Sequence, residues 1–151
     1  MSQVEGPDPP SAARLALIRR FLEAVGIQKQ IDSGSFLDRY AFPGGALFSS
    51  AARDGATFGQ TGEAAFEALR RAYARHRQVW QEEYESHVHL EFTEAELEEI
   101  VAFLERPVGR HFLEGRWRMD AYVGTNTEDL VEAIIGEAIA ALGGRAFEDG
   151  Q

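Results

Sequence analysis

The sequence contains no cysteine, a single lysine (Lys29) and only five prolines, three of them within the first ten residues. Without thiols, disulfide staples, thiolate metal centres and Cys nucleophiles are excluded, and cysteine usage leaves the redox compartment open. Long hydrophobic runs are also missing. The longest candidate, Ala138 to Leu142, is a fragment of an amphipathic helix and falls far short of the ~20 apolar residues that span a bilayer. There is no strand-like alternation of useful length and no repeat at a solenoid period. No phosphate loop, dinucleotide fingerprint or G-x-S-x-G elbow is present, and Gly44-Gly45 after Pro43 is a turn. These gaps remove the nucleotide-binding and serine-hydrolase templates, and no catalytic residue is assigned.

What remains suits one globular domain: 151 residues, 44% apolar and 26% charged. The start carries Pro7, Pro9 and Pro10 and lacks a basic segment followed by an apolar one, so no secretory signal is expected and the chain as written is placed in the cytoplasm. Residues 1–10 are expected as a disordered arm, 11–144 as a single helical bundle and 145–151 as a tail.

Apolar residues recur with helical period through most of the bundle. Leu15, Ile18, Phe21, Leu22 and Val25 form a first stripe between a Ser11 cap and a Gly26 stop. Ile27 to Phe42 reads as a second helix, broken by Ser33, Gly34 and Ser35. Ala46 to Gly62 is the best loop candidate, with a short helical turn over Ala46 to Arg53. Phe66, Leu69, Tyr73, His76 and Trp80 then step by three and four with no breaker between them, which predicts one long helix from Glu63 to Leu90. On that stripe His76 is expected as a buried, hydrogen-bonded core residue.

Phe92-Thr93-Glu94-Ala95-Glu96-Leu97 is the clearest local signal. Thr93 and Glu96 form a capping box, Phe92 can staple onto Leu97, and a helix starts at Glu94 with Leu97, Ile100, Val101 and Leu104 facing inward. Pro107 ends it or opens the next piece, carried by Val108, Phe112 and Leu113. A second capping box, Thr125-Asn126-Thr127-Glu128, precedes a helix from Thr127 to Leu142 closed by Gly143-Gly144. The fold class is therefore all-α, a single-domain bundle of five to six helices.

Two segments resemble a bacterial family of small helical proteins, number 2059 in the domain-of-unknown-function series. One is Leu17 to Gln30, similar to that family's opening helix with its terminal Gly. The other joins Phe92 to Leu97, then Ile100, Phe103, Leu104 and Pro107-Val108-Gly109-Arg110, similar to its capped helix ending at Pro-x-Gly. The resemblance covers residues 14–30 and 84–114. It implies an all-α bundle with no activity to carry over, and, because members usually begin with an export signal, a periplasmic home as the alternative.

The net charge is −10, from 25 acidic and 15 basic side chains. Gln81 to Glu105 holds nine Glu and no Lys or Arg, so the rest of the chain carries only −1. This field disfavours nucleic acid and favours a charged protein contact or a cation. Within the block, Glu83, His87, His89 and Glu91 offer carboxylate and imidazole ligands of the kind that hold zinc or nickel, with Glu83 and His87 spaced i, i+4. The spacing matches no standard zinc motif, and a polar helix end with solvated His is the preferred reading. Arg70, Arg71, Arg75 and Arg77 form a basic stretch fitting an acidic partner or a solvated face, and Arg116-Trp117-Arg118 is a second contact candidate because Trp and Arg are enriched at interface anchors. The leading functional expectation is a non-enzymatic interaction or structural protein that binds a protein partner or itself. A domain binding a divalent metal or small ligand through the His/Glu cluster is the alternative.

Overall fold

In the computed structural model, residues 8–148 are described, and all regular structure among them is helical. Eight α-helices and one 3-10 helix occur in the order α1 (Ala12–Ala24), α2 (Ile27–Ser33), the 3-10 helix (Ser35–Ala41), α3 (Ala46–Ala51), α4 (Phe58–Ala74), α5 (Arg77–Glu91), α6 (Glu94–Glu105), α7 (Pro107–Asn126) and α8 (Glu128–Glu148). The all-α class holds; the count of five to six helices does not. The single bundle expected over 11–144 divides into two compact units, Met1–Arg106 and Pro107–Gln151.

The first unit is built around α1. Its buried face, Leu17, Ile18, Phe21 and Leu22, packs with Ile31 of α2, Val88 of α5, and Leu97 and Val101 of α6. Ile18, Leu22, Ile31 and Leu97 are completely inaccessible. Ser11 caps α1 by accepting the Arg14 N–H at 3.2 Å. The stops fall at glycines with positive φ, Gly26 at 82° and Gly34 at 68°, where a side chain would be strained. Gly34 has a second reason to be glycine, because a Cβ there would sit 2.5 Å from the Tyr73 ring. Tyr73 stacks edge-on with Phe36 and Trp80, and its hydroxyl donates to the Ile31 carbonyl at 2.5 Å. Burial pushes that phenol above its ordinary pKa.

Two expectations in this unit are corrected. The helix expected over Glu63–Leu90 is two helices, interrupted at Arg75 and His76, where the amide N–H groups shorten to i−3 acceptors on Ala72 and Tyr73. No breaker residue marks the site; tertiary contacts pin both flanks to α2, through Tyr73 on one side and the Arg77–Asp32 ion pair on the other. His76 is consequently an exposed residue at the start of α5 and not a core histidine. Within the loop expected over Ala46–Gly62, the short helical turn expected over Ala46 to Arg53 is α3, but the loop ends early, because α4 starts at Phe58 where Thr57 and Gln60 form a full capping box.

The second unit contains α7 and α8. The box expected at Thr125–Glu128 does not form. The Thr125 hydroxyl donates back to the Ala121 carbonyl at 3.1 Å and that of Thr127 to Val123 at 2.6 Å, the back-bonding that competes with capping. The Thr127 N–H reaches Val123 and the Val131 N–H reaches Thr127, so helical bonding brackets the one-residue junction. Gly143-Gly144 do not close α8, which continues to Glu148. Residues 1–7 of the expected arm and 149–151 of the expected tail lie outside the described residues. Asp8, within the arm, is tethered through its carbonyl to His89.

Candidate interaction surface

The residues singled out from sequence separate into three places. Glu83 and His87 share the exposed side of α5, with Nε2 to Oε2 at 3.4 Å and both side chains at least 70% exposed. Val79, Trp80, Glu83, Tyr84 and His87 line a shallow depression along that helix. His89 points elsewhere, because i and i+2 positions do not share a helical face. Its Nδ1 accepts from Arg14 Nε at 2.7 Å and its Nε2 lies 2.9 Å from the Asp8 carbonyl, so both ring nitrogens are engaged. Glu91 is exposed at the last residue of α5. The cluster Glu83, His87, His89 and Glu91 is thus not brought together, and no group of three metal-ligating side chains occurs among the described residues.

The basic stretch is dispersed as well. Arg70 lies 4.0 Å from Asp38, Arg71 pairs with Glu67 at 2.5 Å, Arg75 caps the end of α4, and Arg77 belongs to the next helix, where it pairs with Asp32. The Arg77 guanidinium, followed by the Gln28 amide, holds the Asp32 carboxyl below its usual range. Gln28 and Gln81 exchange amide hydrogen bonds at 2.8 and 3.1 Å, completing a network that fastens α2 to α5. The expected single basic face, Arg70 to Arg77, is therefore broken by the helix end, and three of its four cations are matched locally.

The acidic block finds its cations on α1, which sequence reasoning passed over. Arg19 reaches the largely buried Glu85 at 3.2 Å, and Arg20 reaches Glu105 at 2.8 Å. Arg14 spends its guanidinium on the end of α5, donating to the carbonyls of His89 at 3.0 Å and Phe92 at 2.5 Å. Those are the acceptors a helix C-terminus leaves unpaired. The available signal was the trio of arginines on the polar side of the first stripe.

The third place is α7–α8. Arg116, Trp117 and Arg118 lie there, with Trp117 55% exposed and Arg118 3.8 Å from Glu114. They stand beside a larger feature: Val108, Phe112, Trp117, Met119, Tyr122, Val123, Leu130, Val131, Ile134, Ile135, Ile139 and Leu142 are all 48–68% exposed. Phe112, Met119, Val123, Leu130 and Ile134 repeat at intervals of seven and four, which keeps them along one side of the helical pair. Val131, Ile135, Ile139 and Leu142 widen that side in α8. Helical periodicity was legible in the sequence for Leu130, Val131, Ile134, Ile135, Ile139 and Leu142, and each of these side chains is 48–68% exposed.

Taken each by itself, the first unit is an all-helical bundle with an apolar core, and the second is a pair of consecutive helices with no buried apolar side chain among its described residues. Comparison with known protein families, with characterised proteins and with solved structures finds no match to this chain. Among the described residues no helix is long and apolar enough to cross a membrane.

Proposed function

We propose that the protein is a non-enzymatic interaction protein in which the first unit is the folded head and α7–α8 is the arm that makes contact. The observation that carries this reading is the row of apolar side chains in α8 that are half exposed or more, Leu130, Ile134, Ile135, Ile139 and Leu142, because monomeric soluble proteins rarely expose large contiguous apolar patches. Arg116 and Arg118 line the same depression as Phe112 and Met119, and the neighbouring Trp117 is 55% exposed, so these residues support the same contact region. The Arg70–Arg77 stretch drops out as a surface because Asp38, Glu67 and Asp32 already engage it. The alternative of a bound cation has only the exposed Glu83–His87 pair left to it.

The test is a triple substitution, Ile134→Gln, Ile135→Gln and Ile139→Gln, compared with the parent as bait in a pull-down that also scores capture of the chain by itself. Association retained by the parent and lost by the variant is the expected result. Equal capture by both, with the head melting unchanged, overturns the reading.

A further inference from the structure

We infer that His89 is a proton-sensitive switch in the first unit: its neutral imidazole joins the N-terminal segment to the end of α5 and holds Arg14 there, and protonation of the ring releases Arg14. Every group involved belongs to the first unit, so the inference stands apart from the reading of α7–α8 as a contact surface.

The partners of the ring fix where its proton sits. A guanidinium has donors and no acceptor, so Nδ1 of His89, 2.7 Å from Arg14 Nε, has to accept. The single proton of the neutral ring is then on Nε2, which donates it to the Asp8 carbonyl at 2.9 Å. One tautomer is thus selected from two separate segments, by Arg14 of α1 and by the backbone ahead of α1.

A second proton has only Nδ1 to go to. There it sets N–H against N–H and imidazolium against guanidinium, so the 2.7 Å contact with Arg14 cannot persist. The bond from Nε2 to Asp8 is donated in both forms and survives. Release is therefore selective. Arg14 loses the ring that aligns it, and with it the geometry in which the same guanidinium donates to the carbonyls of His89 at 3.0 Å and Phe92 at 2.5 Å. Those acceptors at the end of α5 are left without their side-chain donor. The surrounding charges give the protonated ring somewhere to turn. His89 lines a depression together with Asp8 of the N-terminal segment, Arg19 of α1, and Glu82 and Glu85 of α5. Glu85 is engaged by Arg19 at 3.2 Å, which leaves the carboxylates of Asp8 and Glu82 to face an imidazolium once Arg14 has withdrawn. The two protonation states of one ring thereby favour two arrangements of the same groups.

The test is a proton–nitrogen NMR titration of the full chain from pH 8 to pH 5.5, a range that spans ordinary imidazole titration. The four histidines are assigned by single substitution to Gln, and circular dichroism confirms that helicity is kept at each pH. At pH 8 His89 is expected as the Nε2–H tautomer, with the Arg14 Nε–H signal displaced from that of a solvated arginine. On acidification the Arg14 signal is expected to move in step with His89, and not with His87, to the position it holds at every pH in His89→Phe, whose ring accepts no hydrogen bond. An Nδ1–H tautomer at pH 8 overturns the arrangement of partners. An Arg14 signal that stays put while His89 takes up its proton overturns the release, and a His89 ring that remains neutral down to pH 5.5 overturns the switch. The titration of the parent decides each of these even if His89→Phe fails to fold.

Discussion

The head and the arm are written in similar amino acids and reach opposite ends of the burial scale. In the head, Ile18, Leu22, Ile31 and Leu97 are inaccessible; in the arm, residues of the same types, Leu130, Ile134, Ile135 and Leu142, are at least half open. Apolar periodicity alone does not separate the two cases. In the head, α1 lies against α2, α5 and α6, so each apolar stripe meets another from the same unit. Along the arm, α8 extends α7 through a one-residue junction instead of folding back on it, so the two stripes lie end to end. An apolar stripe is buried when a second stripe of its own unit is brought alongside, and keeps its exposure within that unit when none is.

The sharpest way to break that contrast is truncation in each region. Leu97→Ala removes a side chain from the centre of the head and is expected to cost about 2–5 kcal/mol in the unfolding of that unit. Leu142→Ala, 68% exposed, is expected to shift the same transition by less than about 0.5 kcal/mol. Each unit contains one tryptophan, so denaturant titrations of Trp117→Phe chains follow the head through Trp80 alone. Equal losses from the two substitutions would show that the arm contributes to head stability.

A smaller effect is expected at Gly34. Alanine there combines a backbone at φ 68° with a Cβ driven against the Tyr73 ring, for about 2–3 kcal/mol in total. Gly136, in the arm, would meet nothing within 4 Å. Gly136→Ala is therefore expected to raise arm helicity, measured by circular dichroism.

The least effect comes from acid. Asp32 is held below its ordinary pKa in the folded head by Arg77 and Gln28. Its contribution is therefore fully present above the unfolded value near ~3.9 and is lost as pH falls through the lower folded value. As Asp32 is exposed and screened, the loss is expected to stay within the range of surface ion pairs, up to about 1 kcal/mol. Asp32→Asn should flatten that part of the pH profile; an unchanged acid limb would reassign it to other carboxylates.

Legibility in the sequence followed how local each cause was. Ser11, Gly26 and Thr93 were readable because a cap or a positive-φ glycine acts within three residues. The Thr93 hydroxyl does accept the Glu96 N–H, with Phe92 tilted against Phe21 behind it. Thr57 and Gln60 carried an equally local signal that the surrounding Gly, Ser and Thr obscured. Thr125–Glu128 carries a cap motif too, yet the backbone there stays helical and the hydroxyls bond backwards, so a motif names an option and the flanking chain chooses. The break at His76 was not readable, since contacts from α2 impose it. At the candidate site, Trp117 could be picked out in the sequence. The scattering of Arg70 to Arg77 and of the His/Glu set could not be, because it depends on which helices meet.

The Arg14 clamp bears on the order in which the head assembles. It joins residues 75 and 78 positions apart in the chain, and its three hydrogen bonds need the end of α5 already formed and α1 already seated beside it. If the clamp closes after the α1–α6 apolar contact, Arg14→Ala is expected to speed unfolding and leave the folding rate almost unchanged, a split that stopped-flow kinetics reads directly. Such late contacts slow escape from the native state while leaving the rate of reaching it almost untouched. With that split Arg14 would be a latch, setting how long the head stays closed rather than how fast it closes.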